Sequence, residues 1–205
     1  MPEILLLGTR NEHKVAELAE LLAGLSWRVE SLNALPPLPE PGEDGTTFEE
    51  NALLKAVYYQ KASGFTCVAD DSGIVVDALN GAPGVYSARY AGEGSTDAEN
   101  NAKLLAALQN VPESARTARF VCCAAIAHPD GRTHCETGIV EGRIALQPRG
   151  SAGFGYDPLF IPAGFDQTFA VLGAAVKQRI SHRARAFGKL RAYLESLNER
   201  CSSNQ

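Results

Sequence analysis

Two adjacent carboxylates, Asp70 and Asp71, are the residues of this chain best suited to catalysis. They lie between an apolar run and a β-branched run, and Ser72-Gly73 is predicted to form a turn where the first strand ends. Paired carboxylates at a strand end are common at metal sites, and Mg²⁺ is usually bound by one or two carboxylates together with substrate phosphates. The pair therefore predicts a magnesium site, and a solvated turn without function is the alternative interpretation.

A polar loop near the N-terminus offers groups that bind phosphate. It follows a strand-like apolar run at 4–8 and precedes apolar residues at helical spacing from Val15 onward. Free N–H groups and the positive dipole end of such a helix attract anions, with Thr9, Asn11 and Lys14 as side-chain donors. The simpler interpretation is that Asn11 only caps the helix. The loop lacks the pattern of a P-loop, which argues against an ordinary P-loop kinase or ATPase.

A second polar cluster occupies the C-terminal third of the chain. Glycines flank aromatic residues at 153–158, and a basic segment at 177–183 precedes the last predicted helix. An aromatic ring is suited to stacking on a nucleobase, and charged side chains are suited to base edges or phosphates. A plain loop and a solvated helix start are the alternatives. The candidate residues here are Phe154, Asp157, His182 and Arg183.

Six ordered motifs together cover nearly the whole chain, from Leu7 to about Leu197. They are Thr9-x-Asn11-x-x-Lys14, Gly45-x-Thr47-Phe48-x-Glu50-Asn51-Ala52-x-x-Lys55-Ala56, Asp70-Asp71-Ser72-Gly73, Pro83-Gly84-Val85-Tyr86-Ser87-Ala88-Arg89-Tyr90, Phe154-Gly155-Tyr156-Asp157-Pro158 and Ser181-His182-Arg183. This order resembles the inosine triphosphate pyrophosphatase family, which is also called HAM1-like. One departure is that Ala175 and Val176 stand before the motif lysine, where family members often have acidic residues.

The resemblance implies hydrolysis of ITP, dITP or XTP to the monophosphate and pyrophosphate, which removes these purines from the nucleotide pool. It implies Mg²⁺ as cofactor, bound by Glu43 and Asp71, with Asp71 also acting as the catalytic base beside Asp70. Substrate contacts are implied for Thr9, Arg10, Asn11, Glu12, His13, Lys14, Ser72, Phe154, Gly155, Tyr156, Asp157, Lys177, His182 and Arg183.

Charge and hydrogen bonding give a physical account of this binding. The net charge of −5 opposes binding of a triphosphate, so local positive charge is required. Asn51 and Lys55 lie one turn apart on a helix predicted at 48–63 and could reach one phosphate. A 6-oxopurine would be selected by a donor to O6 and an acceptor for N1–H, because adenine presents the reverse pattern. Candidates for the cationic cluster are Lys14, Lys55, Arg89, Lys177 and Arg183, and candidates for base recognition are Arg183 or His182 with Asp157.

The predicted fold class is α/β, with a mixed central β-sheet flanked by helices. Early strand–helix units, then a hairpin signal at Pro129-Asp130-Gly131, indicate the mixed sheet. The resemblance implies two lobes with the active-site cleft between them. We expect one domain over residues 1–199 and a frayed C-terminus at 200–205.

Composition limits the partners and the compartment. The 205 residues are 45% hydrophobic and 21% charged, and no segment approaches the roughly 18 apolar residues of a membrane span. An odd count of five cysteines without a C-x-x-C pattern predicts reduced thiols and a cytoplasmic location. The acidic balance argues against a nucleic-acid partner. The resemblance implies a homodimer, with the 83–90 loop as a candidate contact.

Three alternatives stay open. A Maf-like pyrophosphatase would use similar parts on other modified nucleotides. A non-catalytic protein would bind nucleotides or RNA without releasing pyrophosphate. A metal-independent hydrolase would have no use for Asp70-Asp71 beside a phosphate site.

Overall fold

The fold alternates strands and helices in its first half and pairs long strands in its second half. The computed structural model describes residues 3–202. The strands are β1 (Ile4–Leu7), β2 (Arg28–Ser31), β3 (Thr66–Val76), β4 (Thr117–Ala127), β5 (Thr133–Ile144) and β6 (Phe160–Pro162). The helices are α1 (Glu12–Leu21), α2 (Phe48–Ser63), α3 (Asp97–Ala107), α4 (Phe169–Leu172), α5 (Ala174–Ile180) and α6 (His182–Ser202).

The strands form one mixed sheet in the order β2-β1-β3-β4-β5-β6. Strand β1 runs parallel to both β2 and β3, and β5 runs antiparallel to β6. Strands β4 and β5 are joined by a tight turn, in which the amide of His128 donates to the carbonyl of Arg132 at 2.9 Å. The predicted fold class and hairpin are therefore confirmed. None of the helices within residues 3–202 is long and apolar enough to cross a membrane.

The prediction that a strand ends at the Asp pair and turns through Ser72-Gly73 is wrong. Strand β3 runs unbroken for 11 residues through both features, and most of its residues are buried. Two aspartates are tolerated in the middle of a buried strand because cationic side chains distant in sequence pair with them. The local rule for turns failed since it does not include these partners.

The chain divides into two compact units. The first unit comprises the residues up to Asp71, Cys123–Gly138 and the chain from Arg183 onward, and the second comprises Ser72–Cys122 and Ile139–His182. The single domain over residues 1–199 stays a prediction. So does the frayed terminus, since helix α6 extends to Ser202 and residues 203–205 lie outside the described residues.

Helix α2 shows how the first unit is specified locally. A capping box begins the helix: Thr47 accepts from the amide of Glu50, whose carboxylate accepts from the amide of Thr47. Gly64 ends it with φ 74°. Its small residues Ala52 and Ala56 pack in a core cluster with Ala69, Cys123, Ala125 and Ala127.

The second unit has an aromatic core. The rings of Phe120 and Phe160 lie 4.6 Å apart, and Phe169 packs against both. Buried Leu104 and Leu108, from helix α3 and its end, join this cluster. The core of the second unit therefore anchors α3, which matters for the site described below.

Alanine substitutions at two separate glycines test the packing between β5 and β6. Gly142→Ala should lower the free energy of unfolding by about 1–3 kcal/mol, because a Cβ there would clash with the carbonyl oxygen of Ile161 and lie 2.6 Å from Cζ of Phe160. Gly188→Ala in α6, where a Cβ meets nothing within 4 Å, is the matched control and should raise it by about 0.5–1 kcal/mol. Urea unfolding of both variants is the measurement. Equal effects would contradict the assigned β5–β6 pairing.

Candidate active site

Asp70 and Asp71 point to opposite faces of strand β3 and contact different helices, because side chains alternate along a strand. They are only 3% and 6% exposed, so each carboxylate needs compensating charge. Asp71 pairs with Lys55 of α2, whereas Asp70 pairs with Lys14 of α1. The two carboxylates thus form the centres of two separate polar clusters in the first unit.

The cluster around Asp71 joins helix α2 to the preceding loop. Lys55 Nζ lies 2.9 Å from Oδ1 of Asp71 and 2.8 Å from Oε1 of Glu43. Asn51 Nδ2 lies 3.4 Å from the other carboxylate oxygen of Asp71, while Asn51 Oδ1 accepts from the amide of Gly45 at 2.9 Å. A Cβ at position 45 would approach that amide oxygen to 2.6 Å, which accounts for the glycine in the motif.

Burial and charge act in opposite directions on this pair. Burial raises the pKa of the Asp71 carboxyl above its ordinary value, and the Lys55 ammonium offsets this only in part. Burial also acts to lower the pKa of the Lys55 amine, but Asp71, Asp70 and Glu43 more than compensate, so that this pKa lies above its ordinary value. Lys55 is therefore held charged, and it is the main group that favours an ionised Asp71.

The cluster around Asp70 contains two cations and a second carboxylate. Lys14 Nζ lies 3.1 Å from both oxygens of Asp70, and the Arg183 guanidinium lies 3.4 Å from Oδ2. Arg183 Nη1 also donates to Glu17 Oε2 at 2.7 Å. Sequence reasoning missed Glu17, although its position three residues after Lys14 puts both on one face of α1.

The predicted phosphate loop is built around the cap of helix α1. Asn11 Oδ1 accepts from the amides of His13 (3.0 Å) and Lys14 (3.2 Å), so the capping interpretation holds. The hydroxyl of Thr9 accepts from the amide of Asn11 at 3.2 Å, and Arg10 donates to the carbonyl of Leu38. Glu12 and His13 are exposed. Lys14, at the end of this loop, reaches the Asp70 carboxylate.

In the second unit, the segment 153–157 winds around the carboxylate of Asp157. The amide of Phe154 donates to Asp157 Oδ2 at 3.0 Å, and Lys177 Nζ lies 2.7 Å from the same oxygen. Lys177 Nζ also lies 4.2 Å from the centroid of the Phe154 ring, which is within the range of a cation–π interaction. A ring, an ammonium donor and a carboxylate acceptor are thus placed together.

The other predicted residues of the second unit have structural contacts. Tyr156 is buried, and its hydroxyl donates to the carbonyl of Ser87 at 2.8 Å. The ring of His182 stacks on Phe120 with centroids 4.6 Å apart, and Ser72 is half-buried in β3. Arg89 lies 3.4 Å from Glu93 and over the ring of Tyr86. These contacts leave the predicted substrate roles as predictions.

The residues around Lys55 fit the chemistry of a hard divalent cation. Asp71 and Glu43, the two predicted ligands, already converge on one positive charge, the Lys55 ammonium. Within residues 3–202, no group of three or more His, Cys, Asp or Glu side chains is arranged to hold a metal. Two carboxylates are nevertheless enough for Mg²⁺ when substrate phosphates complete its coordination.

Comparison with known proteins identifies the family. A model of the Ham1 family matches residues 5–193. A dITP/XTP pyrophosphatase of Desulforamulus reducens is 50% identical over 193 residues, which cover 94% of this chain and 96% of that protein. A dITP/XTP pyrophosphatase of Geobacter sulfurreducens is 48% identical over 190 residues, covering 93% and 96% of the two chains.

Solved structures agree. A HAM1 protein from Coxiella burnetii superposes with a TM-score of 0.87 at 40% identity, covering 96% of this chain and all of that one. The Ham1 protein of Staphylococcus aureus gives a TM-score of 0.86 at 41% identity, with 95% and 99% covered. The resemblance read from the six motifs is confirmed, and the chain belongs to the Ham1 family.

Proposed function

We propose that this protein is a dITP/XTP pyrophosphatase, which hydrolyses ITP, dITP and XTP to the nucleoside monophosphate and pyrophosphate. The observation that carries the proposal is the buried Asp71 carboxylate, held by Lys55 and Asn51 beside a second carboxylate, Glu43. The Ham1 membership and the names of relatives that share about half of its residues support it.

Asp71 is proposed to be the general base. Its carboxylate accepts a proton from the attacking water, as the water oxygen bonds to phosphorus and the bond between the α and β phosphates breaks. Lys55 and Asn51 contact different oxygens of Asp71, so they fix the plane of the carboxylate. A raised pKa favours this role because a base works best when its pKa approaches the working pH.

A divalent cation is proposed as the cofactor, with Mg²⁺ as the natural candidate and Asp71 and Glu43 as its protein ligands. When bound, the cation would neutralise part of the negative charge on the triphosphate. Lys55 lies between these two carboxylates and neutralises part of their negative charge. The lysine therefore keeps the carboxylates ionised and in place for the cation.

The phosphates are proposed to bind at Lys14 and the adjoining N-terminus of α1. Lys14 retains 20% exposure of its side chain, whereas Asp70 and Arg183 are almost fully buried. Asp70 therefore acts by positioning its two cations rather than by contacting the reacting atoms. The loop is proposed to contribute mainly the positive dipole end of α1, because the amides of Asn11, His13 and Lys14 already donate to the side chains of Thr9 and Asn11.

The base is proposed to be recognised by Phe154, Asp157 and Lys177. Phe154 offers a stacking face, and the other two offer one acceptor and one donor. A 6-oxopurine can accept at O6 and donate from N1, whereas adenine presents the reverse pattern and would leave buried groups unpaired. The homodimer and the cytoplasmic location stay predictions.

A substrate panel tests the activity directly. Pyrophosphate release should be fast with ITP, dITP and XTP, slow with ATP, CTP and UTP, and abolished by EDTA. Slow release from GTP, which shares the 6-oxo edge, would require an additional discrimination at its 2-amino group. Release from other modified nucleotides instead would favour a Maf-like enzyme. Tight binding without release would favour a non-catalytic nucleotide-binding protein, and release that persists in EDTA would remove the metal from the proposal.

Substitution of the proposed base is the second test. Asp71→Asn preserves shape and removes the proton acceptor, so kcat should fall by about 10²–10⁴-fold while the protein stays folded. Asp130→Asn, at an exposed carboxylate of the β4–β5 turn, is the matched control and should leave kcat unchanged. Activity of Asp71→Asn within a few-fold of the unsubstituted protein would falsify the role of Asp71.

Removing the partner of Asp71 should give a pH-dependent loss of stability. In EDTA at neutral pH, Lys55→Met should lower the free energy of unfolding by about 3 kcal/mol, because a buried carboxylate loses its cation. The loss should shrink as the pH falls through the pKa of Asp71, since a protonated carboxyl needs no cation. That pKa lies higher still in this variant because Lys55 no longer offsets the effect of burial. Urea unfolding at acidic and neutral pH measures this.

The double variant Lys55→Met/Asp71→Asn is the control for that experiment. It removes both charges, so it should recover much of the stability at neutral pH and show little added pH dependence. An equal loss for Lys55→Met at every pH would mean that lost packing of the lysine stem, not the unpaired charge, is the cause.

A further inference from the structure

Two side chains of helix α3 form hydrogen bonds with the backbone of Gly155. Neither residue belongs to the six predicted motifs. Asp97 Oδ2 accepts from the Gly155 amide at 2.6 Å, and Asn101 Nδ2 donates to the Gly155 carbonyl at 2.8 Å. The first bond fixes the peptide group that joins Phe154 to Gly155, and the second fixes the next peptide group. Two successive peptide planes are therefore set by α3, and we call Asp97 and Asn101 the α3 clamp.

Helix α3 is a firm base for the clamp. Its first turn is fixed by a capping box between Thr96 and Glu99, and Leu104 is buried in the core of the second unit. Asp97 and Asn101 are four residues apart, so they emerge on one face of the helix. Their geometry relative to each other is therefore set by the helix itself.

The segment that they hold also has isolated backbone bonds, from the amide of Ala152 to the carbonyl of Ala170 and from the amide of Asp157 to the carbonyl of Phe154, each 3.3 Å long. Residues 151–155 belong to no helix or strand, and Gly153 and Gly155 have left-handed φ values of 78° and 62°. Glycines make such a backbone easy to form but also easy to deform. On its other side, the segment is bonded to Asp157 through the amide of Phe154. Its conformation thus depends on side-chain bonds and isolated backbone bonds rather than on the regular hydrogen bonds of a sheet or helix.

Asn101 uses its side-chain nitrogen for the bond to Gly155. It is only 8% exposed, and its Oδ1 atom has no hydrogen-bond partner among the described residues. An unsatisfied buried acceptor is unfavourable. The described polar contact of this buried side chain is therefore its bond to the Gly155 carbonyl, which fits a residue that positions the segment.

We propose that Asp97 and Asn101 are positioning residues for nucleobase recognition. By fixing both peptide groups of Gly155, they hold the Phe154 ring and the Asp157 carboxylate in the arrangement that a 6-oxopurine requires. This inference rests on the proposed function, because it assumes that Phe154 and Asp157 contact the base. In this proposal both clamp residues act through Gly155, although they line the same cavity as Phe154. Their loss changes the affinity and the choice of base, not the hydrolytic step.

The test combines a structural readout with a kinetic one. Asp97→Ala and Asn101→Ala should speed amide hydrogen exchange in a peptide covering 153–157. Asn101→Ala should raise KM for dITP by about tenfold, with kcat within about twofold and a smaller preference for dITP over dATP. Asp97→Ala should act in the same direction but less, because Asp97 is exposed to solvent.

Two further variants separate the clamp from helix stability. Asp97→Asn keeps an oxygen that can accept from the Gly155 amide, so it should restore exchange and KM toward the unsubstituted values. Glu99→Ala breaks the capping box in the same helical turn without touching Gly155, so it should lower the melting temperature but change exchange at 153–157 and KM less than the clamp variants do.

The outcomes distinguish the two proposals. If the unsubstituted protein hydrolyses dITP and the clamp variants keep their KM and base preference, base positioning is refuted while the proposed function stands. Unchanged exchange at 153–157 would contradict the clamp itself. If the unsubstituted protein hydrolyses none of the panel, the proposed function fails, and base positioning fails with it whatever the exchange shows.

Discussion

The ion pair between Asp71 and Lys55 is the constraint on which the first unit depends. A carboxylate in the middle of a buried strand is tolerated only with a cation close by. Here α2 supplies Lys55 to Asp71, α1 supplies Lys14 to Asp70, and α6 supplies Arg183 to Asp70. Each of these helices is thereby tied to strand β3 by charge as well as by apolar packing. The arrangement concentrates charge at the expense of stability, which is typical of functional sites.

Much of the fold could be predicted from the sequence because its signals are local. The capping box at Thr47 and Glu50 places the start of α2, Gly64 places its end, and Pro129-Asp130-Gly131 places the β4–β5 turn. The prediction for β3 failed for the opposite reason. The partners that make its aspartates acceptable are 16, 56 and 113 residues away in the chain, so no local pattern can reveal them.

The candidate site shows the same contrast between local signals, which the sequence reveals, and tertiary contacts, which it does not. Its chemistry-bearing residues could be chosen by type and order, but their pairing could not. Arg183 or His182 was expected to act with Asp157 in base recognition, and that role stays a prediction. In the structure Arg183 pairs with Asp70 and Glu17, and Asp157 pairs with Lys177. A salt bridge is set by which faces of strands and helices meet, and that information is tertiary. Asp97 and Asn101 were missed because they act on backbone groups, which carry no side-chain signature.

The paired aspartates of the first unit and the Gly155 segment of the second unit are held by different physical means, and the difference fits different tasks. Around Asp70 and Asp71, buried charges compensate one another, so each position is stiff and the removal of one partner leaves an expensive unpaired charge. At Gly155, bonds to a glycine backbone hold a segment that could otherwise move. Phosphate chemistry is common to every nucleoside triphosphate and suits the rigid cluster. The bases of different substrates differ by a few hydrogen-bonding groups. Selectivity among them is more readily tuned through a segment whose backbone is adjustable.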